Sequence, residues 1–116
     1  DFVAKNPEFN EFSQNIAMQV AAAQPVYVSP DDVPVAFLEK EKEIFQAQIT
    51  DKPAHVIDKI VQGKIEKRFE ELCLLEQRYI KDDSLKVKDY LTATIARIGE
   101  NIIIRRFVRY EVGEEL

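Results

Sequence analysis

A chain of 116 residues, 46% apolar and 32% charged, has the size and make-up of one soluble globular domain able to bury a core. Its net charge of −5 repels phosphate backbones and anionic lipid, so neither direct nucleic-acid binding nor membrane binding is expected. Cys73 and His55 are the sole residues of their types, which excludes a disulfide within the chain and a Cys/His zinc cage.

The chain opens at Asp1 without a methionine or signal-like segment and reads as a fragment or processed product. Phe9, Phe12, Ile16, Ala17 and Val20 recur at three- and four-residue steps, predicting one buried side of a helix from about Pro7 to Ala23. Pro25 stops that pattern, and Val26, Tyr27 and Val28 form a short extended piece. Ser29-Pro30-Asp31-Asp32 reads as a helix start in which the serine oxygen accepts from an amide three residues on. The stretch Val35 to Gln48 continues as a charged helix with Phe37, Leu38, Ile44 and Phe45 apolar. A further helix is expected from about Ala54 to Leu74, with Ile57, Ile60, Val61, Ile65, Phe69, Leu72 and Cys73 as its stripe. The link Thr50 to Pro53 is short, so residues 35–74 are expected to form an antiparallel helical hairpin, with a close backbone approach at Gly63.

Asp82-Asp83-Ser84 offers a cap for a helix carrying Val87, Tyr90, Leu91, Ile95 and Ile98, which Gly99 ends. From Asn101 to Val112 the period changes to two. Ile102, Ile104, Val108, Tyr110 and Val112 share one face, with Arg106 the exception, and Ile103, Arg105, Phe107, Arg109 and Glu111 alternate on the other. This is the one strong strand, and its ladder needs partners from residues missing upstream of Asp1 or from a second chain.

Catalytic signatures are absent: there is no GxSxG, HExxH, Walker loop or Gly-rich phosphate cradle. Cys73 lies on an apolar stripe and reads as a small buried hydrophobe, and His55 as a solvated or locally hydrogen-bonded side chain at a helix start. The pairs Asp31-Asp32 and Asp82-Asp83 suit capping better than metal binding, and the run Glu39-Lys40-Glu41-Lys42-Glu43 is a solvated helix face.

An ordered set of motifs is more specific. Asp1-Phe2-Val3-Ala4-Lys5-Asn6 resembles the end of a TDFVA-type signature. Ile16-Ala17-Met18, Tyr27-Val28-Ser29, Asp32-Val33-Pro34, Glu39-Lys40-Glu41 and Ile60-Val61-Gln62-Gly63-Lys64 follow, then Leu74-Leu75-Glu76-Gln77, Ile80-Lys81-Asp82-Asp83, Ile98-Gly99-Glu100-Asn101 and Arg105-Arg106-Phe107-Val108-Arg109. In this order they resemble the elongation factor Ts family across essentially the whole chain, with Arg78-Tyr79 where Pro-Phe is common.

The resemblance implies a guanine-nucleotide exchange factor for elongation factor Tu, with no catalytic residues, metal or cofactor of its own. It assigns contacts with the GTPase domain of that partner to Asp1, Phe2, Ile98 and Gly99. It also implies that residues 1–116 are the core domain in a short, single-repeat form, lacking the N-terminal helical domain and the strands before the signature. A homodimer would then complete the sheet, with Ile103, Arg105, Phe107 and Arg109 as interface candidates. The location would be the bacterial cytoplasm, or a plastid or mitochondrion. The alternative is a structural dimerisation fragment without exchange activity by itself. The expected fold is α+β: helix-rich, with the helical hairpin and a small antiparallel sheet completed by missing or partner strands.

Overall fold

The structure, a computed structural model, describes residues 6–99 and Ile104. Helix α1 spans Pro7–Ala23. Asn6 caps it, its side-chain oxygen accepting from the amides of Glu8 at 2.8 Å and Phe9 at 3.3 Å, while Pro7 occupies a first-turn position that needs no amide bond. Phe12, Ile16 and Val20 are buried as their spacing predicts, but Ala17 is exposed. Asn15 and Gln19 take its place, so the buried stripe of α1 contains two amide side chains.

After α1, Tyr27 forms a parallel bridge with Cys73. The amides of Val26 and Tyr27 donate to Leu72 O at 2.8 and 3.0 Å, and those of Leu74 and Leu75 donate back to Tyr27 O and Val28 O at 2.8 and 3.0 Å. At the following 3₁₀ turn, Pro30–Asp32, the capping bond differs from expectation. The Asp32 carboxylate accepts from both the amide and the hydroxyl of Ser29, at 3.1 and 3.3 Å, so the serine oxygen donates.

Helices α2 (Val35–Gln48) and α3 (Ala54–Leu72) form the hairpin. Their cross-contacts run in opposite directions along the two helices. Arg68 pairs with Glu41 at 3.2 Å and lies over the Phe37 ring at 5.7 Å, while Lys64 lies 5.5 Å from the Phe45 ring centroid. Glu41 therefore serves the partner helix and is not only part of a solvated face. Val61 and Ile65 are the buried residues of α3, whereas Ile44 of α2 remains 43% exposed. The expected close approach at Gly63 is not there: a Cβ at that position would meet nothing within 4 Å. The helix also stops at Leu72, two residues before the expected end, because Cys73 is drawn into its bridge with Tyr27.

A second 3₁₀ turn, Leu74–Glu76, leads to strands β1 (Arg78–Tyr79) and β2 (Asp82–Lys86), paired antiparallel with Arg78 opposite Lys86 and Tyr79 opposite Asp82. This corrects two expectations. The described residues contain a two-stranded sheet of their own, the strand expected over 101–112 lying outside them apart from Ile104, and Asp82-Asp83-Ser84 lies in β2, not at a helix start. The hairpin turns at Ile80-Lys81, and at the start of β2 the Asp82 carboxylate accepts from the Ser84 amide at 3.1 Å and hydroxyl at 2.6 Å. Helix α4 (Val87–Ile98) takes Asp89 for its first turn instead, the carboxylate accepting from the Lys86 amide at 3.0 Å.

The core joins α1 to α4 through Phe12, Ile16, Val20, Leu74, Tyr79 and Val87, with Leu75, Leu85, Tyr90, Leu91 and Ile104 packed against it. Leu74 and Val87 are fully buried, each stabilising the fold by about 1.5–3 kcal/mol relative to exposure. Tyr90 links the layers, stacked on Tyr79 at 4.5 Å between centroids and tilted against Phe12 at 5.0 Å. The result is an α+β, helix-rich architecture with a small two-stranded antiparallel sheet. No helix among the described residues is long and apolar enough to cross a membrane.

Candidate functional site

Of the sequence-predicted site residues, Ile98 and Gly99 lie at the end of α4. Gly99 takes a left-handed conformation, φ 78°, and its amide donates to Ile95 O at 2.9 Å, which stops the helix and leaves the glycine exposed. A Cβ there would meet no atom within 4 Å, so the conformation, not space, calls for glycine. Ile98 is half-buried. Asp1, Phe2, Ile103, Arg105, Phe107 and Arg109 lie outside the described residues.

Helices α1 and α4 run antiparallel, which brings the start of one beside the end of the other. Asn15 Nδ2 donates to the Tyr90 hydroxyl at 2.9 Å in the interior of this pair, and Glu8 meets Arg97 at 3.3 Å at its rim. Arg97 immediately precedes Ile98. Neither Glu8 nor Arg97 carries a sequence signal for this contact, since they lie far apart in the chain and each is an ordinary surface charge by pattern.

Below the rim is an open groove of about 430 Å³, lined among others by Glu11, Asn15, Tyr79, Asp82, Tyr90 and Arg97. Burial pushes the Tyr79 hydroxyl up to about 12, with the adjacent Tyr90 and the Glu11 charge adding to the shift, so it stays protonated at neutral pH. Cys73 is fully buried, and burial pushes its thiol up to about 11, reinforced by the Glu76 and Asp32 charges. It sits as a small buried side chain, as the sequence suggests. His55 is exposed at the start of α3. Among the described residues no three His, Cys, Asp or Glu side chains are placed to hold a metal ion.

A buried amide network ties α1 to β1. Gln19 donates through Nε2 to Arg78 O at 3.0 Å and to Gln77 Oε1 at 3.3 Å, and its own oxygen accepts from the Ile80 amide at 2.8 Å. Gln77 donates to Glu71 O and Ala23 O at 3.0 and 3.4 Å. One side chain of α1 thus fixes the turn between β1 and β2. The sequence carried a usable signal here, since positions 12, 15, 16, 19 and 20 together make a full helical stripe that includes both amides.

A family model described as elongation factor TS matches residues 10–114. This chain belongs to the elongation factor Ts family. It is similar to elongation factor Ts of Thermotoga neapolitana, with 62% identity over 115 residues, covering 99% of this chain and 58% of the relative. With elongation factor Ts of Carboxydothermus hydrogenoformans it shares 58% identity over 118 residues, covering 100% of this chain and 54% of that protein. With the Thermodesulfovibrio yellowstonii factor it shares 53% over 115 residues, covering 98% and 58%. The chain thus spans a little over half the length of the elongation factor Ts relatives it matches.

Proposed function

We propose that this chain is the part of an elongation factor Ts that promotes release of GDP from elongation factor Tu. The carrying observation is the family match over residues 10–114, and the end of α4, with Ile98 half-buried and Gly99 exposed, suits a contact with a partner. Asp1, Phe2, Ile98 and Gly99 are the proposed contacts. Four peptide steps join Phe2 to Asn6, a tether of at most about 14 Å, so both segments are able to engage one partner face.

In this reading the factor makes and breaks no bond and needs no cofactor. A wedge that displaces backbone amides and a cation from a bound diphosphate removes the interactions that hold the nucleotide most strongly. By linkage, the factor weakens GDP binding by the ratio in which GDP weakens factor binding, so exchange passes through a transient ternary complex. The acidic net charge and the bacterial relatives favour action in a bacterial cytoplasm without direct binding of nucleic acid or membrane.

A homodimer is part of the same proposal. Ile104 packs against this chain's own core, and the sequence alternation puts Ile103, Arg105, Phe107 and Arg109 on the opposite face as contact candidates for a second copy.

Release of fluorescent GDP from elongation factor Tu tests the proposal, with this chain and with its Phe2→Ala variant. Acceleration that the variant largely loses is the expected result. No acceleration by the folded chain overturns exchange by this part and favours the alternative of a structural dimerisation fragment.

A further inference from the structure

We propose that Glu8 and Arg97 form a positioning pair that fixes the start of α1 against the end of α4, where Ile98-Gly99 lies. The inference rests on the exchange reading above and adds two residues to it.

The pair is the outer rung of a polar ladder between the helices. Asn15 and Tyr90 form the inner rung at 2.9 Å. The Tyr90 carbonyl accepts from the Thr94 hydroxyl at 2.9 Å, that hydroxyl accepts from Arg97 Nη2 at 3.4 Å, and Arg97 Nε reaches Glu8 at 3.3 Å. Thr94 is fully buried, so the arginine is anchored on a fixed point of α4 before it crosses to α1. Helix ends fray at low cost, and these two ends flank the proposed contacts.

Global stability is not what the pair chiefly serves. Its side chains are 54% and 51% exposed, and such a pair contributes little to folding. Its effect is local: a partner that must meet both helix ends at once binds more tightly when their spacing is already set. A purely local account also exists, because Glu8 sits in the first turn of α1 and Arg97 in the last turn of α4, where each charge favours its own helix dipole. The two accounts separate under charge exchange.

The test measures the concentration of chain giving half-maximal acceleration of GDP release from elongation factor Tu, together with the thermal midpoint of the chain alone. Glu8→Ala and Arg97→Met should each raise that concentration roughly threefold, and the double variant no further, as expected for two residues acting as one weakly coupled unit. The exchanged variant, E8R with R97E, should recover most of the affinity while its thermal midpoint falls, since each charge then opposes its helix dipole. Single variants without effect, or an exchanged variant no better than the singles, overturn the inference while leaving exchange intact. If the unsubstituted chain fails to accelerate release, the exchange reading falls and the inference falls with it.

Discussion

Replacing Gln19 by leucine should unfasten α1 from the β-hairpin. Leucine is similar in size and apolar, so it fills the site but removes three hydrogen bonds: to Arg78 O, to Gln77 Oε1 and from the Ile80 amide. At about 1 kcal/mol net for each bond, the loss is about 3 kcal/mol, and the leucine's own burial offsets a part of it. A net cost of about 2 kcal/mol is a large share of the roughly 5–15 kcal/mol that holds a domain of this kind. Urea unfolding followed by far-ultraviolet circular dichroism would measure it, with Gln77→Leu and the double variant completing a cycle. Because the two amides share one network, the double variant should cost less than the sum of the singles by about 1 kcal/mol. A loss below about 0.5 kcal/mol for Gln19→Leu, or strict additivity, would refute the claim that this network ties helix to hairpin.

Stability should also respond to pH at both ends. Folding raises the Cys73 thiol from 9.0 to about 11 and the Tyr79 hydroxyl from 10.0 to about 12, so their contributions are full below the unfolded values and fall away between about pH 9 and 12. The Cys73→Ala and Tyr79→Phe variants should each show a shallower alkaline decline in unfolding free energy than the parent. Glu76 acts in the opposite sense. Burial alone would raise its carboxyl, but hydrogen bonds from Lys88 and Lys86 outweigh that and hold it below the ordinary value. Its contribution is therefore full above the unfolded value and lost as pH falls through the folded one, a loss that Glu76→Gln should reduce in acid titrations. Gly63→Ala should raise the thermal midpoint by a few degrees, reflecting about 0.5–1 kcal/mol of helix propensity, because the added Cβ meets nothing. Gly99→Ala should lower it by a similar amount, since alanine is strained at φ 78°. The same sign at both glycines would contradict this reading.

Short-range chemistry made much of the helical framework legible. Pro7 and Pro25 around an apolar stripe bounded α1, and Val35 to Gln48 and the stop at Gly99 were readable from periodicity, proline and left-handed glycine geometry. The hairpin of α2 and α3 followed from two stripes and a short link. Such signals act within a turn or two of chain, so no distant partner is needed to interpret them. The ordered motifs likewise carried the family, and with it Ile98 and Gly99 as candidate contacts.

Partners far apart in sequence decided the rest. Cys73 leaves the helix because Tyr27 pairs with it, and Asp82-Asp83-Ser84 runs as part of β2 where the same residues are equally competent to cap a helix. Gln19, brought from α1, satisfies Arg78 O and the Ile80 amide at the Ile80-Lys81 turn that precedes β2. Glu8 and Arg97 are unremarkable by sequence and meet only because the core aligns α1 antiparallel to α4. Hydrophobic period marks which face of an element is buried, but it does not say which polar groups will stand opposite one another once those faces close.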